Sequence, residues 1–378
     1  MKPAHELADI IHFHSAGYYN RYIPRIQVQK TFRAISQCRT AALGGHVSVC
    51  TACGTEQISY NSCRNRHCPK CQATNKERWI MARESELLPV PYYHIVFTLP
   101  NCFNSLLPKY DKEIYRSLFA ASWKTIQSFA SSPKYLGAKT GMVAILHTWG
   151  QQLWLHPHLH CVVPGGGITS NGKWKNCKYK AKYLYPKRAM SKVFRAKYVA
   201  ELRSKIKIPQ SIAKQAFKTN WVVYAKRPFA TPKTVVEYLG RYTHKIAISN
   251  HRLVHVDKYK VAFKYKDYRD AAKQKIATLQ GAEFLRRFAQ HILPHGFMRI
   301  RHYGFLASRN KNIELNLAKT DFKQPKWEKV SKSWIEIAIE KLNYDPSLCH
   351  HCKVKAMKIC KSISPERGPP PYRFPNAE

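Results

Sequence analysis

Carboxylates are the scarce side chains of this 378-residue chain, with 22 Asp and Glu against 64 Lys and Arg. The formal charge is +42 and the pI is near 10.0. An excess of that size calls for a polyanion, and nucleic acid is the commonest one; a ribosome-like or merely sticky basic protein is the bland alternative. Long apolar runs are also missing: no stretch reaches the roughly 18 residues of a membrane span, so no membrane partner is expected. The N-terminus, MKPAHELADIIHFHSAG, has acids and histidines where a secretory signal would be apolar. Without such a signal, twelve cysteines argue for thiolates and metal in a reducing, cytoplasmic compartment, not for a disulfide scaffold. No internal repeat is evident.

What is present suffices for a sizeable core, with 44% hydrophobic and 12% aromatic residues. The length suggests two or three domains. Residues 5–45 read as helical, residues 46–71 are cysteine-rich, and an amphipathic helix then ends at Pro89. Strand signals at YYHIVFTLP, GMVAILHTWG and LWLHPHLHCVVPGGG surround a helix over 110–130. That order predicts an α+β fold with a mainly antiparallel sheet. A basic loop (170–190), a basic helix (191–208), a strand in NWVVYAKRPF and a helix over 231–245 follow, Thr231 capping and Pro232 opening the last. A β-meander through IAIS, RLVHVD and YKVAFKYK leads to a helix over 281–293 and a strand in GFMRIRHYGFLAS. The expected division is 1–45 helical segment, 46–90 zinc-binding and DNA-binding module, 91–250 catalytic domain, 251–344 accessory region and 345–378 Cys-rich and Pro-rich tail, its last residues expected to be disordered.

Two Cys-x2-Cys pairs, Cys50/Cys53 and Cys68/Cys71, are separated by 14 residues. Each aims two thiolates at one point, and together they predict a tetrahedral structural Zn2+ site. Arg64, Arg66 and Lys70 around it are candidate DNA contacts. Cys38, His46, Cys63 and His67 lie close enough to replace one ligand or to supply a second site. A reduced knuckle, Cys349-x2-Cys352 with Cys360, recurs near the C-terminus, lacking one obvious ligand that His350 or His351 would supply.

HPHLHCVVPGGGI, residues 156–168, sets histidines at alternate positions, which in a strand share one face. His158 and His160 would then present two imidazoles side by side, half of a metal site, or simply a histidine-rich surface strand. His147 lies eleven residues before His158; a hairpin pairing positions that sum to about 305 sets it opposite on the same face. Gln151, the stronger competitor, and His156 are the alternatives for third ligand. Three ligands leave positions open for substrate, and beside a polyanion the natural substrate is a phosphodiester polarised by Mg2+ or Mn2+. A nucleophile is offered by YLGRYTHK, which places Tyr238 and Tyr242 on one helix face about 6 Å apart along the axis. An aromatic pair packed on a core is the competing reading; the basic Arg241, His244 and Lys245 beside the tyrosines tilt it toward DNA.

At this point the chain resembles the rolling-circle insertion-sequence transposases of the IS-ninety-one type, two-tyrosine members of the HUH endonuclease superfamily. The stretches that carry the resemblance are CRTAALGGHVSVC, YNSCRNRHCPKCQ, LPVPYYHIVFTLP, HTWGQQLWLHPHLHCVVPGGG, YLGRYTHKIAISNHRL and LPHGFMRIRHYGFLASR, in order from residue 38 to about 309. The HUH triplet is His158-Leu159-His160. The resemblance implies a ferredoxin-like palm with the tyrosine helix packed beside its central strand. It implies single-strand nicking through a 5′-phosphotyrosine, with His158 and His160 as metal ligands and Tyr238 and Tyr242 as nucleophiles. No GxxxxGK[ST] loop occurs, so unwinding is expected from a host helicase. A replication initiator or relaxase would use the same chemistry, and a zinc-dependent DNA-binding regulator is the non-enzymatic alternative. The charge makes one prediction on its own. Affinity for DNA, measured by titration, should fall about a thousandfold between roughly 50 and 200 mM salt, whereas a flat response would contradict a phosphate-dominated interface.

Overall fold

In the computed structural model, which describes residues 3–178, 184–225, 234–236, 240 and 243–366, the N-terminal apolar stripes form α1 (Leu7–Tyr19) and α2 (Ile26–Ser36). The cysteine-rich stretch forms a hairpin, β1 (Gly45–Cys50) and β2 (Glu56–Tyr60), and leads into α3 (Ala73–Glu84). The palm then begins with β3 (Tyr92–Thr98), α4 (Leu107–Ser131), β4 (Gly141–Trp149) and β5 (Leu155–Pro164). A small ribbon, β6 (Gly166–Ile168) with β7 (Trp174–Asn176), precedes α5 (Lys187–Arg203), α6 (Gln210–Lys218) and β8 (Val223–Ala225). The meander is β9 (Leu253–Val256), β10 (Lys260–Asp267) and β11 (Lys273–Gln280); α7 (Gly281–Ala289), β12 (Ile300–Gly304), α8 (Lys311–Asp321), α9 (Trp334–Leu342) and β13 (Met357–Ile363) complete the described order.

The fold is α+β, as its alternation of patterns predicts. The palm sheet has the order β12-β4-β5-β3-β8, and every pairing in it is antiparallel. Because side chains alternate along a strand, Ile95, Phe97, Leu146, Leu159 and Cys161 share one face, buried against Leu118, Phe119 and Ile126 of α4 and Phe194 and Tyr198 of α5. Val143, Ile145 and Val162 lie on the opposite face with the histidines, and Val235 packs in the same apolar cluster. Of the segment that bears the paired tyrosines, residues 234–236, 240 and 243–245 are described. Tyr238, Arg241 and Tyr242 themselves, like the extreme Pro-rich tail, lie outside the described residues.

One expectation is corrected. IAIS is not a strand; the third strand of the meander is β11, whose alternately exposed KQKIATLQ lacks the apolar content that signals one. The Cys-rich tail contributes β13, which pairs antiparallel with β1. The meander and α7 share a core with α1 and α2, through Leu7, Ile11, Phe32, Phe263, Phe284 and Phe288.

Between α3 and α8 lies a buried ion cluster. Glu86, 4% exposed, accepts from Arg83 at 2.6 Å and from Lys311 at 2.5 Å. Replacing it with Ala strands the buried Lys311 and the half-buried Arg83, a change that typically costs about 3–5 kcal/mol. Urea unfolding of Glu86→Ala should show a loss of that order, and a midpoint unmoved from the parent would refute it.

Candidate active site and zinc clusters

The site rests on the register of β4 with β5. His147 is paired with His158, and Ile145 with His160, so the positions sum to 305 as the hairpin argument requires. Ligand nitrogens of His147, His158 and His160 all lie within 4.8 Å of one another. The ring centroids are 4.7 Å apart for His147 and His160 and 4.9 Å for His158 and His160.

Burial keeps His158 and His160 neutral. His158 is pushed down to about 4, mainly by desolvation, with the charges of His156, His94 and Lys245 adding to the effect. His160 is lowered further by burial, then by His147, His158, His94 and Lys245. Neutral rings hold lone pairs that a cation can take, and second contacts decide which nitrogen carries one. His158 Nδ1 donates to the His156 carbonyl at 2.6 Å, which places its lone pair on Nε2. His160 Nδ1 lies 2.9 Å from His94 Nε2, the rings stacked with an interplanar angle of 9°. With Nδ1 as the donor, His160 also turns the Nε2 lone pair toward the trio.

His94 is the residue that sequence reasoning missed. It stands on β3 opposite Val162, one diagonal step from His160. Its signal was the alternation of YYHIVFT, which became informative only once β3 was known to flank β5.

The alternatives for third ligand are placed elsewhere. The Gln151 amide donates to Tyr268 Oη at 3.4 Å, and its oxygen accepts from the Lys266 backbone, so it belongs to the meander contact. His156 is exposed and contributes its carbonyl to His158.

The turn between β4 and β5 is tied down one carbonyl at a time. Arg252 donates to Gln151 O at 2.5 Å, Arg287 to Gln152 O at 3.3 Å and His291 Nε2 to Leu153 O at 3.0 Å. Leu153 takes φ +61°, a left-handed value that a branched side chain adopts only under constraint, and is fully buried in the core of α1 and α2.

Around the tyrosine segment, Gly240 has a steric reason. A Cβ there would lie 2.4 Å from Ile80 Cδ1, so glycine lets the segment lie against α3. Arg299 donates to the carbonyls of Thr243 and of Lys245, the latter at 3.0 Å, while its own carbonyl accepts from Leu146 N at 2.9 Å. One arginine thus joins the end of the tyrosine segment to the strand that carries His147. The Lys245 ammonium is lowered by desolvation and by Arg252 and Lys266.

The cysteines correct the predicted zinc site. Cys50 and Cys53 do not meet Cys68 and Cys71; there are two clusters, Cys38/Cys63/Cys68/Cys71 and Cys50/Cys53/Cys349/Cys352. The reason is the β1–β2 hairpin. Cys50 and Cys53 flank its turn, whereas Cys38 precedes and Cys63 follows its open end. Five residue steps of about 3.4 Å put some 17 Å between the two ends. In the first cluster Cys38 Sγ and Cys63 Sγ lie 3.4 and 3.7 Å from Cys71 Sγ, and the Cys63 N–H donates to Cys38 Sγ. Zinc–sulfur bonds of about 2.3 Å give a tetrahedron with edges of about 3.8 Å, so these thiols fit zinc.

Of the candidate DNA contacts beside the cysteines, Arg66 is withdrawn. It donates to the carbonyls of Phe297, Pro294 and Leu293 and is spent on structure. Lys70 pairs with Glu6 at 2.7 Å, and Arg64 is exposed.

A family model described as a putative transposase matches residues 141–313, and one described as a transposase zinc-binding domain matches residues 10–99. The putative transposase y4qJ of Sinorhizobium fredii (strain NBRC 101917 / NGR234) is 43% identical, the alignment covering 82% of each chain. The transposase for insertion sequence element IS801 of Pseudomonas savastanoi pv. phaseolicola is 30% identical over 75% of this chain and 71% of that one. The chain belongs to the IS-ninety-one-type transposases. No solved structure matches it. As a transposase it binds DNA and is an enzyme of the nuclease type, and its zinc-binding domain and cysteine clusters support structural Zn2+. Among the described residues no helix is long and apolar enough to cross a membrane.

Proposed function

We propose that this transposase nicks and rejoins single-stranded DNA at the ends of its element, with Tyr238 and Tyr242 as nucleophiles and His147, His158 and His160 as ligands of a divalent cation. The observation that carries the reading is the convergence of the imidazoles of His147, His158 and His160 on one face of the sheet, with burial holding His158 and His160 neutral. Family membership favours a transposase over a replication initiator or a relaxase.

In the proposed step a tyrosine oxygen bonds to phosphorus as the P–O3′ bond breaks. The strand leaves with a 3′-OH, and the 5′ phosphate stays on the phenol. The phenol gives up one proton and the departing oxygen gains one. A later attack by a 3′-OH reverses the exchange; one ester replaces another, so joining needs no ATP. A phenol of pKa near 10 is ionised about once in a thousand at pH 7, so nearby cations must favour the anion as it forms. We assign that role to Lys245, whose charge reaches His158 and His160, and keep Arg241 as a proposed DNA contact.

A bound cation would polarise the scissile phosphate and offset its charge. Three imidazoles with no carboxylate in the cluster among the described residues suit Mn2+ better than Mg2+. A second tyrosine lets one strand end stay covalently held while another is cut. The edge strand β8 and α5 offer a groove lined by Lys187, Arg188, Lys192 and Arg195, a basic track suited to the phosphates of a single strand. Strand opening falls to a host helicase.

Two experiments test this. With Mn2+ and a single-stranded oligonucleotide of the element's end, the parent should form a denaturation-resistant adduct on the 5′ side of the nick. Tyr238→Phe combined with Tyr242→Phe should abolish it while binding persists, and an undiminished adduct would sink the assignment. Separately, Mn2+ affinity measured by calorimetry should fall about tenfold or more in His147→Ala and stay unchanged in Gln151→Ala. The reverse ranking would return the third position to the glutamine.

A further inference from the structure

We propose that Cys50, Cys53, Cys349 and Cys352 form a second zinc centre, which clasps the C-terminal segment to the far end of the zinc-binding hairpin. Two of these ligands lie about 250 residues beyond the matched zinc-binding domain, which spans residues 10–99.

The two Cys-x2-Cys turns are copies of each other in backbone geometry. Cys50 N donates to Thr55 O at 2.9 Å, and Gly54 N returns to Cys50 O at 2.8 Å. Cys349 N donates to Val354 O at 2.9 Å, and Lys353 N returns to Cys349 O at 3.1 Å. In both turns the residue after the second cysteine is left-handed, Gly54 at φ +73° and Lys353 at φ +62°. A lysine there costs backbone strain, so something must hold the turn in that shape.

The thiols face one another across the two turns. Cys50 and Cys352 are 3.6 Å apart, and Cys53 and Cys349 are 3.7 Å apart, close to the ~3.8 Å edges of a zinc tetrahedron. Both distances are far too long for a disulfide bond of about 2.05 Å. The cluster buries Cys349 and Cys50 fully and leaves Cys53 exposed.

The strand that the centre would secure has little else to hold it. All five inner residues of β13 are exposed, Ile359 to 67%, so apolar burial contributes little to its pairing with β1. Yet the tail is placed closely: Thr51 N donates to Ala356 O at 2.9 Å, and a Cβ on Gly44 would lie 2.4 Å from Ile363 O. Closing a loop of nearly 300 residues costs entropy that a metal can offset and a seven-residue ladder with five exposed positions cannot. Cys360, which lies on β13 with its thiol against Val47 O, is outside the cluster and serves as a control.

The test is zinc content of the purified full-length protein by inductively coupled plasma mass spectrometry. Two zinc ions per chain are expected for the parent and for Cys360→Ser, and one for Cys349→Ser combined with Cys352→Ser. If that pair fails to fold, Cys53→Ser at the exposed corner of the cluster replaces it, with the same expected count. Trypsin should release the tail, cutting at Lys353, Lys355, Lys358 or Lys361, about tenfold faster from the one-zinc variant, because local opening then governs cleavage. One zinc in the parent, or two in the double variant, overturns the centre. A variant that loses one zinc with no change in tail cleavage overturns the clasp.

Discussion

Everything proposed for the palm depends on one pairing, His147 opposite His158 across β4 and β5. A slip of one residue would send His147 to the apolar face, among Phe97 and Leu159. The register is set less by the strands than by the turn that joins them. Leu153 plunges into the core of α1 and α2, while Arg252, Arg287 and His291 take three successive carbonyls of the turn. The donors lie far along the chain from the paired strands, Arg252 just before the meander, Arg287 on α7 and His291 just after it. Their part in the site is to fix a hairpin they never line.

A second line of support runs from the cysteines. The first cluster sits between the end of α2 and the start of α3, and α3 meets the tyrosine segment at Ile80 and Gly240. Arg299 ties the other end of that segment to β4, in a buried position where its own guanidinium falls to about 10 through desolvation and the nearby Arg66. Gly240 therefore meets the zinc-binding domain, while Thr243 and Lys245 are tied to the histidine sheet. On the proposed reading, zinc in such a place would set the relative position of nucleophile and cation, which a purely DNA-contacting module would not do.

Legibility in the sequence followed the range of the interaction. The α+β order, the palm strands and the 147–158 register were readable because each rests on local periodicity and one short turn. The cysteine pairing was not. Spacing linked Cys50/Cys53 to Cys68/Cys71, but a hairpin holds its two ends about 17 Å apart, and the partners of Cys50 are about 300 residues away. His94 was hidden for the same reason, since nothing local says which strand flanks β5. Arg66 looked like a phosphate contact because sequence shows a charge and not the three carbonyls that occupy it.

Charge, the first feature of this chain, acts on the site in a way composition alone does not convey. Burial above all, with the charges of neighbouring histidines and then of Lys245 adding to it, makes an imidazolium costly at His158 and His160, and both rings stay neutral at pH 7. On the proposed reading, a positive field around neutral lone pairs weakens the hold on a free cation, and the anionic charge of bound DNA would strengthen it. In the proposed reaction the scissile phosphate lowers the potential at the histidines, and cation and substrate bind with mutual help, by linkage. The scarcity of carboxylates has a role in that scheme: a site built with Asp or Glu would hold its metal without DNA, while three imidazoles among lysines and arginines hold it best when a strand lies across them.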